Sequence, residues 1–562
     1  MAGQNQLFEF EPQGSSIAEV YLDALELYDE VLAGLSPIIA TAIAALGAAS
    51  GASAQELCVG NTAPWARHEV LCLSAEEAAS LPSLPHTQQA HDGSCLVEVH
   101  VEPGVATVEA SAAVAASKLE TAHPATAEAL SDGSVVLQNG VLRARIEAGG
   151  LVSSLLHLGT GRECVLPGAV GANRYLLFED LPLSTDGWDI DRWTQEKVFA
   201  PPATSATVAD ASVAEAEVVA SAAAAASDTV QLLESGPLRA AVRCAVRISS
   251  QSWLSTIISL DAGSDQLQFD CEAEWRESHQ LLRAEFPIDV LPHQGVASFE
   301  IQYGHAARPN HRNTSWDVAR FEVCAQRWAD LSEHGFGVSL LNDCKHGHSV
   351  EGSVLSLSLL RAPKTPDPTA DMGHHCARHT PARPFLPACR VVALADSSSP
   401  RFSLPDFSYA LRPHEGSPLE AKTTNSSVNF NSPLLTAHAA ANTTPPDLPA
   451  SIFRCDTDGV ILDAVKRAED GDGIIVRLYE ANGGRATAIV ETSAQLSSAV
   501  RVDLLENPLT DPVRAATATG LPGSPENGAS NCLADRGLLL VCRALRRRSM
   551  RRCTRCKARR CG

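Results

Sequence analysis

The sequence has little positive charge for its length. It contains 44 Lys and Arg residues against 66 Asp and Glu residues, so its formal net charge is −22 over 562 residues. Nucleic acids and anionic membrane surfaces attract proteins that carry basic patches. We therefore expect neither a nucleic acid nor a membrane as a partner.

Patterned cysteines and a targeting segment are also lacking. The 16 cysteines lie at irregular spacing, which is typical of a reduced, intracellular protein and not of a disulfide framework. The first residues, Met1–Glu11, hold no basic segment followed by an apolar one, so no signal peptide is visible. No apolar run looks long enough to span a bilayer. Together these absences predict a cytoplasmic protein.

The chain is long enough for several domains, because single hydrophobic cores stop growing near about 250–300 residues. Apolar residues recur at helical spacing over Ile17–Leu32, Pro37 interrupts them, and Ile38–Ala49 reads as a second helical segment. From Leu57 onward the pattern changes to short strands, and Asn139-Gly140 is the strongest hairpin signal. Many short strands separated by turn residues predict an antiparallel sandwich.

One stretch, Phe299–Asp343, concentrates polar and aromatic side chains between predicted strands. Alternation predicts one strand at Phe299–Tyr303 and a second at Val338–Leu341, with a polar loop over Arg308–Asp317. Such loops on a strand scaffold are typical of a binding edge. Six residues have the chemistry to bind a sugar: Tyr303, Arg308, Asn313, Trp316, Asp317 and Asp343. Alternatively, the loops only cap the sandwich and the tryptophans belong to its core.

Four of these candidates carry charged or amide groups, namely Arg308, Asn313, Asp317 and Asp343. We expect them to cluster on one edge of the large sandwich, because sheet neighbours in an antiparallel meander bring strand ends together. The alternative is that the Arg and the two Asp residues pair as a structural ion cluster.

The same stretch resembles the C-terminal half of α-mannosidases of glycoside hydrolase family 38, in particular the cytosolic and vacuolar branch. The residues that carry the resemblance are Gln302-Tyr-Gly-His-Ala-Ala-Arg-Pro-Asn-His-Arg-Asn-Thr-Ser-Trp-Asp317, Gly335–Ser349 and Arg361-Ala-Pro-Lys364. Weaker matches extend it over roughly residues 17 to 505. A vacuolar location is therefore left open beside the cytoplasmic one.

The resemblance implies a mainly β fold built from several domains. Its large sandwich would be of the galactose-mutarotase-like supersandwich type. The expected parts are a remnant of the family's helical middle domain at 1–50, a small β-domain at 51–130, the large antiparallel β-sandwich at 131–416, a C-terminal β-domain at 417–510 and an irregular tail at 511–562. Segments 200–228 and 376–406 read as insertions in the sandwich.

The resemblance also implies a chemistry, retaining hydrolysis of α-mannosides, with α-mannoside oligosaccharides as partners. The family places an Asp nucleophile, a second carboxylic acid and a zinc site of His and Asp in an N-terminal α/β barrel. Where the family has a His-Asp pair that bears a zinc ligand, this chain reads Asn5-Gln-Leu-Phe-Glu-Phe-Glu11. We therefore expect no catalytic residue and no zinc in this chain, as in a C-terminal region that lacks its barrel.

A rival hypothesis is a catalytically inactive β-sandwich module that binds mannosides or a protein partner. The sequence leaves a homo-oligomer open.

Three groups of His and Cys residues have metal-like spacing: Cys344-Lys-His-Gly-His348, His374-His375-Cys376 with His379, and Cys553-Thr-Arg-Cys556. Each lacks the further partners of a complete site, so polar turns and an irregular tail are the simpler interpretations.

Overall fold

A computed structural model gives the fold of most of the chain. It describes residues 18–53, 56–81, 84, 86–118, 123–183, 187–199, 230–292, 295–365, 367–369, 372–375, 403–404, 407–439, 453–455, 457, 459–471, 473–492, 496–509, 515–517, 538–544 and 554–559. The predicted insertion 200–228, and 376–406 apart from residues 403 and 404, lie outside these ranges.

The N-terminal part combines a long helix with short strands. Its elements are α1 (Ala18–Ala49), β1 (Leu57–Asn61), β2 (Arg67–Leu73), α2 (Ala75–Ala79), β3 (Thr87–Gln89), β4 (Cys95–Val101), β5 (Gly104–Thr107) and α3 (Val108–Lys118). Strands β2, β4 and β3 form one three-stranded sheet. Strand β1 pairs with β5 in another sheet.

The large sandwich follows. Its elements are β6 (Thr126–Ala129), β7 (Val135–Gln138), β8 (Leu142–Ile146), β9 (Val152–His157), β10 (Arg162–Glu163), β11 (Arg174–Glu179), β12 (Val198–Phe199), β13 (Gln231–Ser235), β14 (Arg239–Arg247), β15 (Trp253–Asp261), β16 (Leu267–Trp275), β17 (Gln280–Pro287), β18 (Val296–Ile301), β19 (Gly304–Pro309), α4 (Ser315–Val318), β20 (Val323–Cys324), β21 (Trp328–Glu333), β22 (Phe336–Asn342), β23 (Gly347–Glu351), β24 (Val354–Arg361), β25 (Gly373–His375), β26 (Ser403–Leu404) and β27 (Phe407–Glu415).

Three sheets build this sandwich around one core. The 11-stranded sheet runs in the order β13-β14-β15-β16-β27-β22-β21-β18-β19, with β25 and β26 beside β16. A six-stranded sheet, β12-β11-β17-β24-β23-β20, and a five-stranded sheet, β10-β9-β8-β7-β6, complete it. Aromatic rings meet at the centre, where Phe269 stacks on Tyr409 at 4.9 Å and Phe286 meets both edge-on. The mainly β, antiparallel prediction is confirmed.

Hydroxyl groups cross the core between two of the sheets. Tyr175 on β11 and Tyr409 on β27 approach with their hydroxyl oxygens 3.0 Å apart. The Tyr409 hydroxyl donates to Asn173 Oδ1 at 2.7 Å, and Thr256 Oγ1 lies 2.9 Å from the Tyr175 hydroxyl. All four side chains are buried, so each polar group must find its partner inside the protein.

The predicted hairpin at Asn139 is present between β7 and β8. The Asn139 side chain accepts from the backbone N–H groups of Val141 and Leu142 at 2.8 and 2.7 Å. Its amide donates to the carbonyls of Asp261 and Ser264 at 2.7 and 2.8 Å. The turn signal therefore also fixes the hairpin to the end of β15.

After the large sandwich, the chain first adds a strand to a sheet of the N-terminal part and then forms the C-terminal domain. The elements of this part are α5 (Thr423–Asn431), β28 (Leu435–His438), β29 (Phe453–Cys455), β30 (Val460–Arg467), β31 (Ile474–Glu480), β32 (Thr487–Thr492), β33 (Leu496–Val502), β34 (Ala515–Thr517), β35 (Leu538–Ala544) and β36 (Thr554–Arg559). Strand β28 pairs with β1, which differs from the expected domain boundary at residue 417. Strands β29 to β36 form two four-stranded sheets.

The expectation of an irregular tail is wrong for the described residues after 510. Strand β35 inserts between β31 and β33, with Val541 opposite Ile475 and Val500. The apolar run over 538–541 explains this, because it has the residue types of a buried strand. Strand β36 pairs with β32 and β34 in the second sheet.

Helix α1 corrects two expectations. It continues through Pro37 instead of breaking there, because Ile43 and its neighbours anchor its C-terminal half on Cys58, Val105 and Leu435. Glu26–Ala49 is therefore one helical segment of 24 residues with a mean hydropathy of 2.0, long and apolar enough to cross a membrane. Our expectation that no such run exists is wrong. Length and composition alone do not separate a membrane span from a helix that packs on protein.

We expect Tyr409→Phe to destabilise the large sandwich by about 1–3 kcal/mol, because Asn173 Oδ1 would remain buried without its donor. Chemical denaturation would measure the loss in the free energy of unfolding. Tyr303→Phe is the matched control, since the Tyr303 side chain is exposed. An equal, small effect of both substitutions would contradict a structural role for the buried hydroxyls.

Candidate functional site

The hairpin of β18 and β19 carries the first two sugar-binding candidates. Tyr303 sits in its turn with a positive φ of 58°. Arg308 lies in β19 opposite Ala297, so the prediction of a loop starting at Arg308 is wrong. The polar residues of β19 break the hydrophobic alternation from which a strand is predicted. The strand is recognised in the structure by its pairing with β18. The Arg308 guanidinium lies 4.9 Å from the Phe299 ring, and burial lowers its pKa.

The same hairpin is the surface on which the C-terminal domain docks. The Tyr303 ring meets Tyr479 of β31 edge-on at 5.4 Å. Arg327 bonds the Glu300 carboxylate at 2.6 Å and donates from the same nitrogen to the Tyr479 hydroxyl at 3.3 Å. Glu300 is buried, so its charge is balanced by this pairing. The sequence analysis did not predict this contact between the hairpin and the C-terminal domain. No residue near Tyr479 in the chain indicates that its partners are Tyr303 and Arg327.

The polar loop after β19 is locally ordered. Thr314 caps α4, with its hydroxyl accepting from the Asp317 backbone and donating to the Asp317 carboxylate at 2.7 Å. The Thr314 hydroxyl is the main reason that the pKa of Asp317 is lowered. Asn313 and Trp316 point to solvent, and 75% of the Trp316 side-chain surface is exposed. Neither side chain makes a hydrogen bond or a ring contact with another described residue.

Asp343 directly follows β22 and lies beside the start of β27. Its two carboxylate oxygens accept from the Ser408 backbone N–H at 3.0 and 3.1 Å. The Ser408 hydroxyl donates to Asp270 on β16 at 2.8 Å. Burial raises the pKa of Asp343 to about 7, although the Ser408 N–H and Lys345 favour its charged form. A carboxyl group with such a pKa can give or take a proton near neutral pH.

Among the described residues, no hydrogen bond or ion pair joins the side chains of the four charged and amide candidates to one another. Asp317 lies within 4.0 Å of His311 and Arg320 of its own loop, while Arg308 packs on Phe299. Arg308 therefore takes part in no structural ion cluster with Asp317 or Asp343 in this part of the chain.

The described histidines after β22 are not arranged as a metal site. No group of three His, Cys, Asp or Glu residues in the described ranges is arranged to hold a metal ion. His346 Nδ1 lies 3.2 Å from the carbonyl of Ala325, and burial lowers its pKa. His348 is buried near Arg308, and its pKa is lowered to about 3. The side chains of His374, His375, Cys376, His379, Cys553 and Cys556 lie outside the described residues.

Two family models match the chain. The glycosyl hydrolases family 38 C-terminal domain covers residues 137–369, and the glycosyl hydrolases family 38 C-terminal beta sandwich domain covers residues 459–523. The first contains most of the large sandwich, with all six candidate residues. The second begins just before β30 and extends past residue 505, where the resemblance in the sequence ends.

Curated relatives match over most of the chain. Alpha-mannosidase 2C1 of Mus musculus is 36% identical over 499 residues, which cover 88% of this chain and 41% of that protein. Alpha-mannosidase 2C1 of Homo sapiens is 36% identical, with the same two shares. The alpha-mannosidase of Saccharomyces cerevisiae is 30% identical over 67% of this chain and 32% of its own length. The chain thus spans less than half the length of these relatives.

A solved structure shares the fold. An alpha-mannosidase from Enterococcus faecalis V583 superposes with a TM-score of 0.57 and 12% identity. The match covers 96% of this chain and 66% of that chain.

We expect Asp343→Asn to change how stability depends on pH. Because the folded protein holds this proton up to about pH 7 and an ordinary carboxyl loses it near pH 4, the group makes stability fall as pH rises between them. The free energy of unfolding of the wild type relative to Asp343→Asn should fall by up to about 1.4 kcal/mol per pH unit in this window.

Urea denaturation between about pH 4 and pH 8 measures this difference. Asp132→Asn is the control that should stay flat. Hydrogen bonds from Ser134 lower the pKa of Asp132 below its ordinary value, so its contribution is lost only at pH values below this window. A difference for Asp343→Asn that stays flat across the window would contradict the raised pKa.

Proposed function

Because the chain belongs to glycosyl hydrolase family 38 through its C-terminal domains, we propose that it is the C-terminal region of an α-mannosidase that hydrolyses α-mannosidic bonds in oligosaccharides. The observation that carries the proposal is the 36% identity to two proteins named alpha-mannosidase 2C1 over 88% of this chain. The β-domains would support a catalytic domain and partly complete its sugar-binding site. No observation on the described residues favours an inactive binding module instead.

The resemblance places the catalytic chemistry in the family's barrel and not in this chain. Retaining hydrolysis needs two carboxyl groups about 5–5.5 Å apart on either side of the scissile bond. The resemblance places that pair, and the zinc, in the barrel. The described residues of this chain do not fit a zinc ion, because His346 and His348 are each surrounded by protein groups and lack a third ligand. We therefore assign no catalytic step to this chain.

The loop around α4 is the proposed sugar-facing part of this chain. Trp316 offers an exposed ring, and Asn313 beside it offers an exposed amide. These are groups with which proteins orient sugars, apolar ring faces and amides that bind hydroxyls. Tyr303, Arg308, Asp317 and Asp343 each have a protein partner instead, so we place them behind the sugar contacts.

We propose the cytoplasm as the location. The described cysteines support a reducing compartment, since nine of them, seven buried, form no disulfide bond with one another.

We expect the purified chain of 562 residues to hydrolyse 4-nitrophenyl α-mannoside no faster than a blank. The longer protein in which a family 38 barrel precedes this chain should hydrolyse it, and should leave the β-mannoside intact. Release of nitrophenol measures both rates. Hydrolysis by the chain alone that a chelator abolishes would contradict the assignment of the catalytic groups to the barrel.

In that longer protein, Trp316→Ala should lower kcat/KM for a mannose oligosaccharide roughly tenfold while leaving the melting temperature unchanged, because the exposed ring supports no packing. Trp188→Ala is the matched control, an exposed tryptophan elsewhere on the sandwich. Equal kinetics of the two variants would remove Trp316 from the sugar site.

A further inference from the structure

A cleft of about 460 Å³ opens where three parts of the chain meet. The turn after β1, the segment that leads into α5, and the strand ends of the C-terminal domain line it. The lining groups that matter here are Trp65, Glu420, Asn425, Arg454 and Asn482. Its volume lies within the range of about 300–1,000 Å³ that is usual for small-molecule sites.

Trp65 forms a fixed aromatic wall of this cleft. Asn61 Nδ2 donates to the Trp65 backbone carbonyl at 2.8 Å. The indole Nε1 donates to Asn429 Oδ1 of α5 at 3.0 Å. The ring also packs on the cluster of Ile461, Tyr479 and Ala481 from the C-terminal domain. The indole is therefore held by all three parts of the chain before any ligand arrives.

Amide groups with unused hydrogen-bonding capacity lie beside this ring. Within the part of the chain that the structure describes, the side-chain amides of Asn425 and Asn482 have no hydrogen-bond partner. Arg454 reaches only Glu102, at 3.4 Å, and both side chains are about half exposed. The lining also holds the carboxylate of Glu420, which accepts from the Ser417 N–H and hydroxyl, and a second cation, Lys422. The cleft therefore offers donors and acceptors without a strong field of one sign.

This combination suits a neutral, hydroxyl-rich ligand. A phosphate-bearing ligand would meet the Glu420 carboxylate and compete with Glu102 for Arg454, and an apolar ligand would leave two amides without partners. An apolar ring face on Trp65 and hydroxyls at the amides would satisfy both kinds of surface. We propose that this cleft is an oligosaccharide-binding site, and its identification with mannose oligosaccharides rests on the function proposed above.

The test is isothermal titration calorimetry of the full chain with α-1,2-linked mannotetraose. Asn425→Ala with Asn482→Ala should raise Kd at least about tenfold, the loss expected from two hydrogen bonds. The melting temperature should not change, because neither side chain bonds to a described residue. The matched control is Gln251→Ala with Gln302→Ala, two exposed amides outside the cleft, and it should bind as the wild type does.

Absence of binding to the wild-type chain would overturn the proposal, and so would binding that the cleft variant leaves unchanged. Maltotetraose tests the sugar. If it binds as tightly and the cleft variant weakens it equally, the cleft stands as an oligosaccharide site and the mannose assignment falls. Failure of the proposed function is seen separately, as no hydrolysis of α-mannosides by the longer protein while binding in the cleft persists.

Discussion

The two larger sheets of the sandwich are held in one register by polar groups buried between them. The Tyr409 hydroxyl can reach Asn173 only when β27 keeps its register with β16 and β22, because a slip of one residue would turn Tyr409 to the opposite face of its sheet. Apolar packing around Phe269 and Phe286 is strong but not directional. The hydroxyl contacts select one arrangement from those that the apolar core would tolerate. The hairpins at the sheet edges, including the one with Tyr303, inherit their positions from it.

That arrangement also decides what the polar stretch after β18 does. Its hairpin meets Tyr479, so Tyr303, one of the six residues that look like a binding edge, helps Arg327 to hold two domains together. A polar, aromatic surface suits both tasks, since a docked domain and a sugar each need rings and hydrogen bonds. Of the six candidates, Trp316 and Asn313, beyond the hairpin, face solvent without a side-chain partner among the described residues.

Local signals in the sequence predicted local structure well. Asn139 forms its hairpin because its side chain bonds within three residues of itself. The expected break of the helix at Pro37 was wrong, because packing of the helix on β1, β5 and β28 outweighs the local preference against proline. Asp343 could be identified as a candidate, but its partner Ser408, and Asp270 to which Ser408 donates, could not. They come from strands that are neighbours in the sheet and far apart in the chain. The Trp65 cleft has the same origin, since three separate segments build it.

The pairing of β28 with β1 has a consequence for synthesis of the protein. One edge of β1 stays unpaired until the entire large sandwich has been translated, because β28 is encoded after it. At about 5–20 residues per second, translation leaves that edge open for tens of seconds. An open strand edge is a template for pairing with other chains. The sheet that contains β1 is therefore complete only after β28 has been synthesised.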